Sequence, residues 1–178
     1  MNPQQLAEAS AAAMWAGDRA AQALEMKIEV VAPGTATLSM AVRDDMVNGH
    51  AICHGGYIFT LADTAFAYAC NSQNHNTVAA GARIEFLAPG KLGDRFTAAA
   101  RQVVQGNRTG VYDVIVTNQD GVQVALFRGN SHRIGGALVD ASEPVLVALG
   151  LIPPLVDDAA WHALVLDGEP FASSREAG

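Results

Sequence analysis

The order of patterns along this chain predicts an α+β domain: one curved antiparallel sheet packed on one long apolar helix. Three observations lead there. Two runs with a two-residue hydrophobic period precede a continuous apolar stretch of helical length. A meander of further alternating runs, joined by turn signals, follows it. The chain has 178 residues, half of them hydrophobic, which is enough for a single sizeable core.

The elements follow in order. Residues 4–24 are dense in alanine and read as a surface helix. This start is not a secretory signal, because it lacks a basic beginning and Glu8, Asp18 and Arg19 interrupt its small-residue runs. "MKIEVVA" and "TATLSMAV" read as strands around the turn Pro33-Gly34. In the second, Ala36, Leu38, Met40 and Val42 alternate with Thr37, Ser39 and Ala41. The loop "RDDMVNGHAICH" leads into an apolar helix from Gly55 to about Asn71. Then come three or four strands, in "TVAAGARIEFLA", "RFTAAARQVVQ", "GVYDVIVTNQ" and "GVQVALFRGNSHRI", with Asp120-Gly121 as a strong hairpin signal. The expected organisation is an N-terminal helix over 1–25, a sheet-and-helix domain over 26–136 and a C-terminal extension over 137–178. In the extension, Pro144, Gly150, Pro153 and Pro154 break an apolar run, which reads as an appendage.

Composition excludes several classes. A net charge of −7 and a pI of about 5.0 argue against nucleic-acid binding, which needs a basic stripe. Any anionic ligand must therefore be held by a few local cations. No apolar run reaches the roughly 18 residues of a membrane span. The two cysteines, Cys53 and Cys70, form neither a disulfide framework nor a paired metal signature, which fits a reducing cytoplasm.

The chemistry-bearing anomaly is Asp63. Apolar residues surround the helix, so it should be central and buried. Asp63 nevertheless sits near its middle, flanked by Phe59, Thr60, Phe66 and Ala67, with no lysine or arginine within two turns. A buried unpaired carboxylate costs several kcal/mol or shifts its pKa upward. Such a group is tolerated where it faces a polar cleft or performs chemistry. The structural alternative is a carboxylate satisfied by Thr60, Thr64 or a backbone amide. At the helix start, "HGG" places glycines where the first free N–H groups point outward, a geometry that stabilises an acyl oxyanion. A tight entry turn would also need glycine. Taken with Asp63 on the same helix, acyl chemistry is the better reading.

These residues also resemble a known family. "NGHAICHGGYIFTLADTAFAYACNS", "FLAPGKLGD", "RTGVYDV" and "ALFRGNSHRIGG" are similar to the hotdog-fold acyl-CoA thioesterases of phenylacetate degradation, over about residues 14–136. The resemblance implies a hotdog fold, with the sheet wrapped around the helix. It implies a homodimer, commonly paired into a dimer of dimers, with no cofactor beyond coenzyme A as part of the substrate. Asp63 would be the catalytic carboxylate, as base or nucleophile, and the Gly55 N–H would polarise the carbonyl. Asn48 and His54 match residues that position substrate and water. Gly56, Arg108, Thr109 and Arg133 match segments along the substrate path. The expected reaction is hydrolysis of phenylacetyl-CoA or hydroxyphenylacetyl-CoA-like thioesters. The alternatives are a hotdog enoyl-CoA hydratase or dehydratase, and a non-enzymatic acyl-CoA-binding protein.

Geometry gives an independent reason for shared sites. Gly55 and Asp63 stand eight residues apart, roughly 12 Å along a helix axis. One straight helix is poorly suited to bring both to one reacting group, whereas two antiparallel helices across a two-fold axis are suited to it. Other candidates are weaker. Cys53-His54 has no evident orienting partner, and His50 with His54 would chelate zinc only if helical, which Gly49 and "GG" oppose. Lys91, Arg101 and Arg128 are further cations for the anionic coenzyme, after Arg108 and Arg133. Tyr57, Phe59, Met46 and Val47 are expected pocket walls.

Overall fold

The computed structural model describes residues 1–141. Its order is α1 (Pro3–Gly17), α2 (Arg19–Ala23), β1 (Lys27–Ala32), β2 (Thr35–Ala41), a 3-10 turn (Asp44–Met46), α3 (Gly55–Asn71), β3 (Thr77–Phe86), β4 (Arg95–Gln105), β5 (Thr109–Thr117) and β6 (Gln123–Arg133). The six strands form one antiparallel sheet in the order β1-β2-β4-β5-β6-β3. The α+β arrangement of a sheet around one helix is therefore the one observed, with every expected strand present.

The sheet closes on α3 because small residues let it. A Cβ on Gly129 would stand 2.9 Å from ring carbons of Phe66, so β6 must carry glycine where the helix presses closest. Phe66 then meets Tyr112 edge-on at 5.5 Å and Phe127 at 5.9 Å. Leu61, Ala62, Ala65 and Ala69 are wholly buried along the same helix. Full burial of a side chain such as Leu61 or Phe66 contributes about 1.5–3 kcal/mol, which makes this seam the main source of stability.

The N-terminal helix differs from expectation in two ways. It is two helices, not one: Asp18 breaks it and caps the second, its Oδ1 accepting the Ala21 N–H at 3.0 Å. It is also no mere surface element, since Ala7, Ser10 and Ala11 are fully buried. The Tyr68 hydroxyl donates to Asp18 Oδ2 at 3.3 Å, tying the break to α3. Gln4 Nε2 donates to the Val31 carbonyl at 2.9 Å, so α1 also covers part of the β1 edge. Among the described residues the β3 edge has no comparable cover: most of its ten residues are exposed.

Of the expected extension, residues 137–141 are described. The Leu138 and Val139 amides both donate to Asn74 Oδ1, at 2.8 and 2.9 Å, and Asn74 Nδ2 returns a bond to the Val139 carbonyl. The appendage thus begins docked beside the turn after α3. Pro144, Gly150, Pro153 and Pro154 lie outside the described residues.

The seam yields a prediction. In Gly129→Ala the new methyl meets a ring locked between Tyr112 and Phe127. Stability should fall by about 1–3 kcal/mol, the cost of overpacking. The midpoint of urea unfolding measures it, and an unchanged midpoint would show that the ring moves freely.

Candidate active site

The loop into α3 is held by short-range bonds that aim its polar groups. The Asn48 side-chain carbonyl accepts the His50 N–H at 2.9 Å and the Ile52 N–H at 3.4 Å, a local turn that leaves its Nδ2 as the available donor. Ala51 takes a left-handed φ of 59° inside that turn. The His54 amide donates to the Met46 carbonyl at 2.8 Å, and the Cys53 amide to the Gly90 carbonyl at 2.9 Å. The loop is thereby fastened to both sides of the helix start.

The first free amides of α3 can then be accounted for one by one. Gly56 N–H donates to His54 Nδ1 at 2.9 Å, and Tyr57 N–H to the His54 carbonyl at 3.0 Å. Gly55 N–H has no partner among the described residues. One amide at the positive end of a long helix is left to polarise an oxygen. His54 is the cap that arranges this, and its neutral ring must accept at Nδ1, leaving the proton at Nε2.

Asp63 is half-buried, and no hydrogen bond or ion pair reaches it among the described residues. Both hydroxyls that might have satisfied it are spent on the helix: Thr60 donates to the Gly56 carbonyl and Thr64 to the Thr60 carbonyl, each at 2.7 Å. Burial pushes the Asp63 carboxyl above its ordinary range. The structural alternative therefore has no support within the protomer. Asp63 and Gly55 share the helix but, with eight residues between them, stand roughly 12 Å apart.

The remaining candidates sort clearly. Cys53 is buried and its thiol is pushed up to about 11 by burial, while the His54 ring is turned to the helix amide; no thiolate–imidazole pair forms. Among the described residues no group of His, Cys, Asp and Glu is arranged to hold a metal. Arg128 is clamped by Asp113 through two bonds, at 2.6 and 2.8 Å. Its register neighbours Arg83, Asp113 and Arg101 form one row on the sheet face away from α3, lining a depression of about 730 Å³.

Arg108, Thr109 and Arg133 gather at the other end of the molecule. The Arg133 amide donates to the Arg108 carbonyl at 2.8 Å, and Arg133 pairs with Thr77, which Asn71 binds at the C-terminal end of α3. That end is roughly 24 Å from Gly55 along a helix of this length. Within one protomer these three are not brought together with Gly55, Gly56, Asn48 and His54. Lys91, next to the Gly90 that holds Cys53, is the cation whose backbone runs by the helix start.

A hollow of about 470 Å³ opens beside the helix start, lined by Leu24, Asp45, Met46, Val47, His54, Gly56, Tyr57 and Thr60. Three of the four expected walls are here. Phe59 is not; it meets Phe127 edge-on at 5.4 Å. A feature that the sequence left unmarked is Phe86, whose ring tip lies 2.9 Å from where a Cβ on Gly55 would stand.

Comparison with known proteins agrees with this arrangement. The thioesterase superfamily profile matches residues 50–125, which include the whole of α3. The acyl-coenzyme A thioesterase PaaI of Escherichia coli is 52% identical over 129 residues, covering 72% of this chain and 92% of that protein. The solved structure of E. coli PaaI, from the phenylacetic acid degradation operon, aligns with a TM-score of 0.74 at 51% identity, over 75% of this chain and 97% of that one. A Streptococcus mutans protein solved bound to acetyl-CoA aligns at 0.61 with 32% identity, over 63% of this chain and 90% of that one.

The Asp63 environment predicts a stability effect with a defined sign. Its folded pKa lies above the unfolded value, so ionisation opposes folding. Below the unfolded pKa both states are protonated and the opposition is absent. It grows as pH rises between the two pKa values and is complete above the folded one. Asp63→Asn should therefore melt higher than the parent at neutral pH and converge with it at pH 3. Thermal melts across that range measure this, and equal melting at neutral pH would mean the carboxylate is satisfied.

Proposed function

The chain belongs to the acyl-CoA thioesterases of the thioesterase superfamily, and on that premise we propose that it hydrolyses arylacetyl-CoA thioesters, phenylacetyl-CoA among them, to the free acid and CoA. One observation carries the reading: an amide at Gly55 and a carboxylate at Asp63, each without a partner among the described residues, on the same buried helix. The thioester carbonyl accepts from the Gly55 N–H. Asp63 takes a proton from water as that water attacks the carbonyl carbon, and the oxyanion develops against the Gly55 amide. The tetrahedral intermediate then expels the CoA thiolate, which is reprotonated. The raised Asp63 pKa suits a proton acceptor; direct attack by the carboxylate uses the same placement. Asn48 Nδ2 and His54 Nε2 are the donors that orient substrate and water.

The rivals lack support. A hydratase needs a histidine that accepts a substrate proton, and His54 has its Nδ1 lone pair on the Gly56 amide, which leaves Nε2 only as a donor. A passive binding protein would keep Asp63 as a structural group, yet no described residue satisfies it. The chemistry needs no metal or redox group. Two free, buried cysteines suit a cytoplasmic setting. No helix among the described residues is long and apolar enough to cross a membrane.

We further propose that each site is shared between two chains. The β3 edge supports this: among the described residues the outer side of this ten-residue strand is unpaired, a ready surface for pairing with a copy of itself. An antiparallel β3–β3 pair lays Thr77 of one chain near Phe86 of the other. It thereby carries Arg108, Thr109 and Arg133 of one protomer toward Gly55 of its partner, and the two α3 helices run oppositely.

Two experiments test these readings. Asp63→Asn should lower kcat on phenylacetyl-CoA by at least about 100-fold, within the range of acid–base contributions, while the protein stays folded. Activity within a few-fold of the parent would show that Asp63 is not catalytic. The shared site is tested by mixing Asp63→Asn with Gly55→Pro. Proline fits a first helical position and deletes the N–H, and the half-exposed ring tip of Phe86 can give way to its Cβ. Each variant alone should be nearly inactive. In a purified heterodimer one site of two is intact, so about half the parent activity should return. A folded heterodimer with no activity would sink the cross-chain site.

A further inference from the structure

Phe86 ends the open strand β3, and more than half of it, 54%, is exposed. It is nevertheless fixed in place from both sides. On one side the β3–β6 ladder pairs it with Ala125. On the other, the Leu87 and Ala88 amides both donate to the Val124 carbonyl, at 2.9 and 3.3 Å, and the Gly90 carbonyl accepts from Cys53 at 2.9 Å. Its ring carbons Cζ and Cε1 lie 2.9 and 3.2 Å from the Cβ position of Gly55. The aromatic ring therefore abuts the residue whose amide is free, within reach of an acyl group whose carbonyl binds that amide.

A thioester carbonyl has two arms. The sulfur arm carries the amides and hydroxyl of pantetheine; the other is the acyl group. The helix start offers two unlike surroundings for them. The hollow beside Gly56 and Thr60 mixes polar and apolar residues: Asp45, His54, Tyr57 and Thr60 line it together with Leu24, Met46 and Val47. The adjacent face, at Gly55, is the Phe86 ring, with Phe59 one turn further along α3. A mixed wall suits pantetheine, whose amides alternate with methylenes, and the ring suits an aryl group, because aromatic pairs gain contact energy beyond burial alone.

We propose that Phe86 is a specificity-determining residue: its ring packs against the acyl moiety of the substrate and favours aryl over short alkyl chains. The inference rests on the thioesterase reading above and adds the residue that selects within it. It also explains why residue 55 must be glycine, since any side chain there displaces the ring that meets the substrate.

The test is a ratio. Values of kcat/KM for phenylacetyl-CoA and butyryl-CoA are measured on the same preparations of parent, Phe86→Ala and Phe86→Leu. Loss of folded enzyme lowers both rates alike and cancels. The aryl-to-alkyl ratio should fall by at least about tenfold in Phe86→Ala, the scale of one lost aromatic contact in a pocket. Phe86→Leu keeps apolar bulk without an aromatic face and should fall part of the way; if the alanine variant is insoluble, the leucine ratio decides. An unchanged ratio overturns the proposal, however far the two rates drop together. A parent protein that cleaves neither ester sinks the thioesterase reading itself, and the Phe86 assignment with it.

Discussion

An anionic side chain on a buried helix, with no partner among the described residues, is the constraint around which this molecule is arranged. Helix α3 is enclosed because the sheet approaches it at Gly129, where Phe66 fills the space a side chain would take. That enclosure raises the cost of Asp63, and the nearby hydroxyls do not relieve it because Thr60 and Thr64 bond back into the helix. The same packing that stabilises the fold thus holds a carboxylate with a raised pKa. In the proposed role of Asp63, stability and reactivity trade against one another at a single residue.

The helix start follows a similar economy. Four amides at a helix N-terminus ordinarily compete for caps or water. Here His54 supplies an imidazole nitrogen to Gly56 and a carbonyl to Tyr57, and Gly55 alone is left. An amide held by a fixed helix needs no reorganisation when a carbonyl oxygen gains charge, which is why one such donor counts for so much in acyl transfer. His54 acts on this donor by its absence from it, and its value lies as much in what it leaves free as in what it binds.

Much of this was readable from the sequence, and the gaps have physical causes. The sequence patterns placed two strands before α3 and three or four after it, where four are found, and the Asp120-Gly121 turn was visible because Gly121 takes a φ of 78° that favours glycine. Asp63 and Gly55 stood out because one violates burial rules and the other opens a helix. The break at Asp18 was hidden by alanine density, since propensity says where a helix is favoured and not where a side chain will cap one. Phe86 was hidden for a different reason. On its strand it is one apolar residue among several, and only the tertiary approach of β3 to the helix start sets its ring against Gly55. Arg108 and Arg133 were grouped with the site by resemblance, but the chain folds them to the opposite end of α3, a separation that linear spacing does not encode.

That separation has a consequence for how an acidic protein meets an anionic coenzyme. With a net charge of −7, the long-range field repels the ligand, so recognition depends on cations close to its phosphates. A single protomer holds its cations badly for this: Lys91 by the helix start, Arg108 and Arg133 roughly 24 Å away, and Arg128 engaged with Asp113 on the outer face. Antiparallel pairing of β3 repairs the distribution without moving any residue within its own chain, because the far end of one protomer becomes the near end of the other. The unsatisfied carboxylate, the exposed edge strand and the misplaced arginines would each be a defect in a lone domain. A two-fold axis beside β3 accounts for all three at once, and the proposed shared site is the arrangement in which none of them is left over.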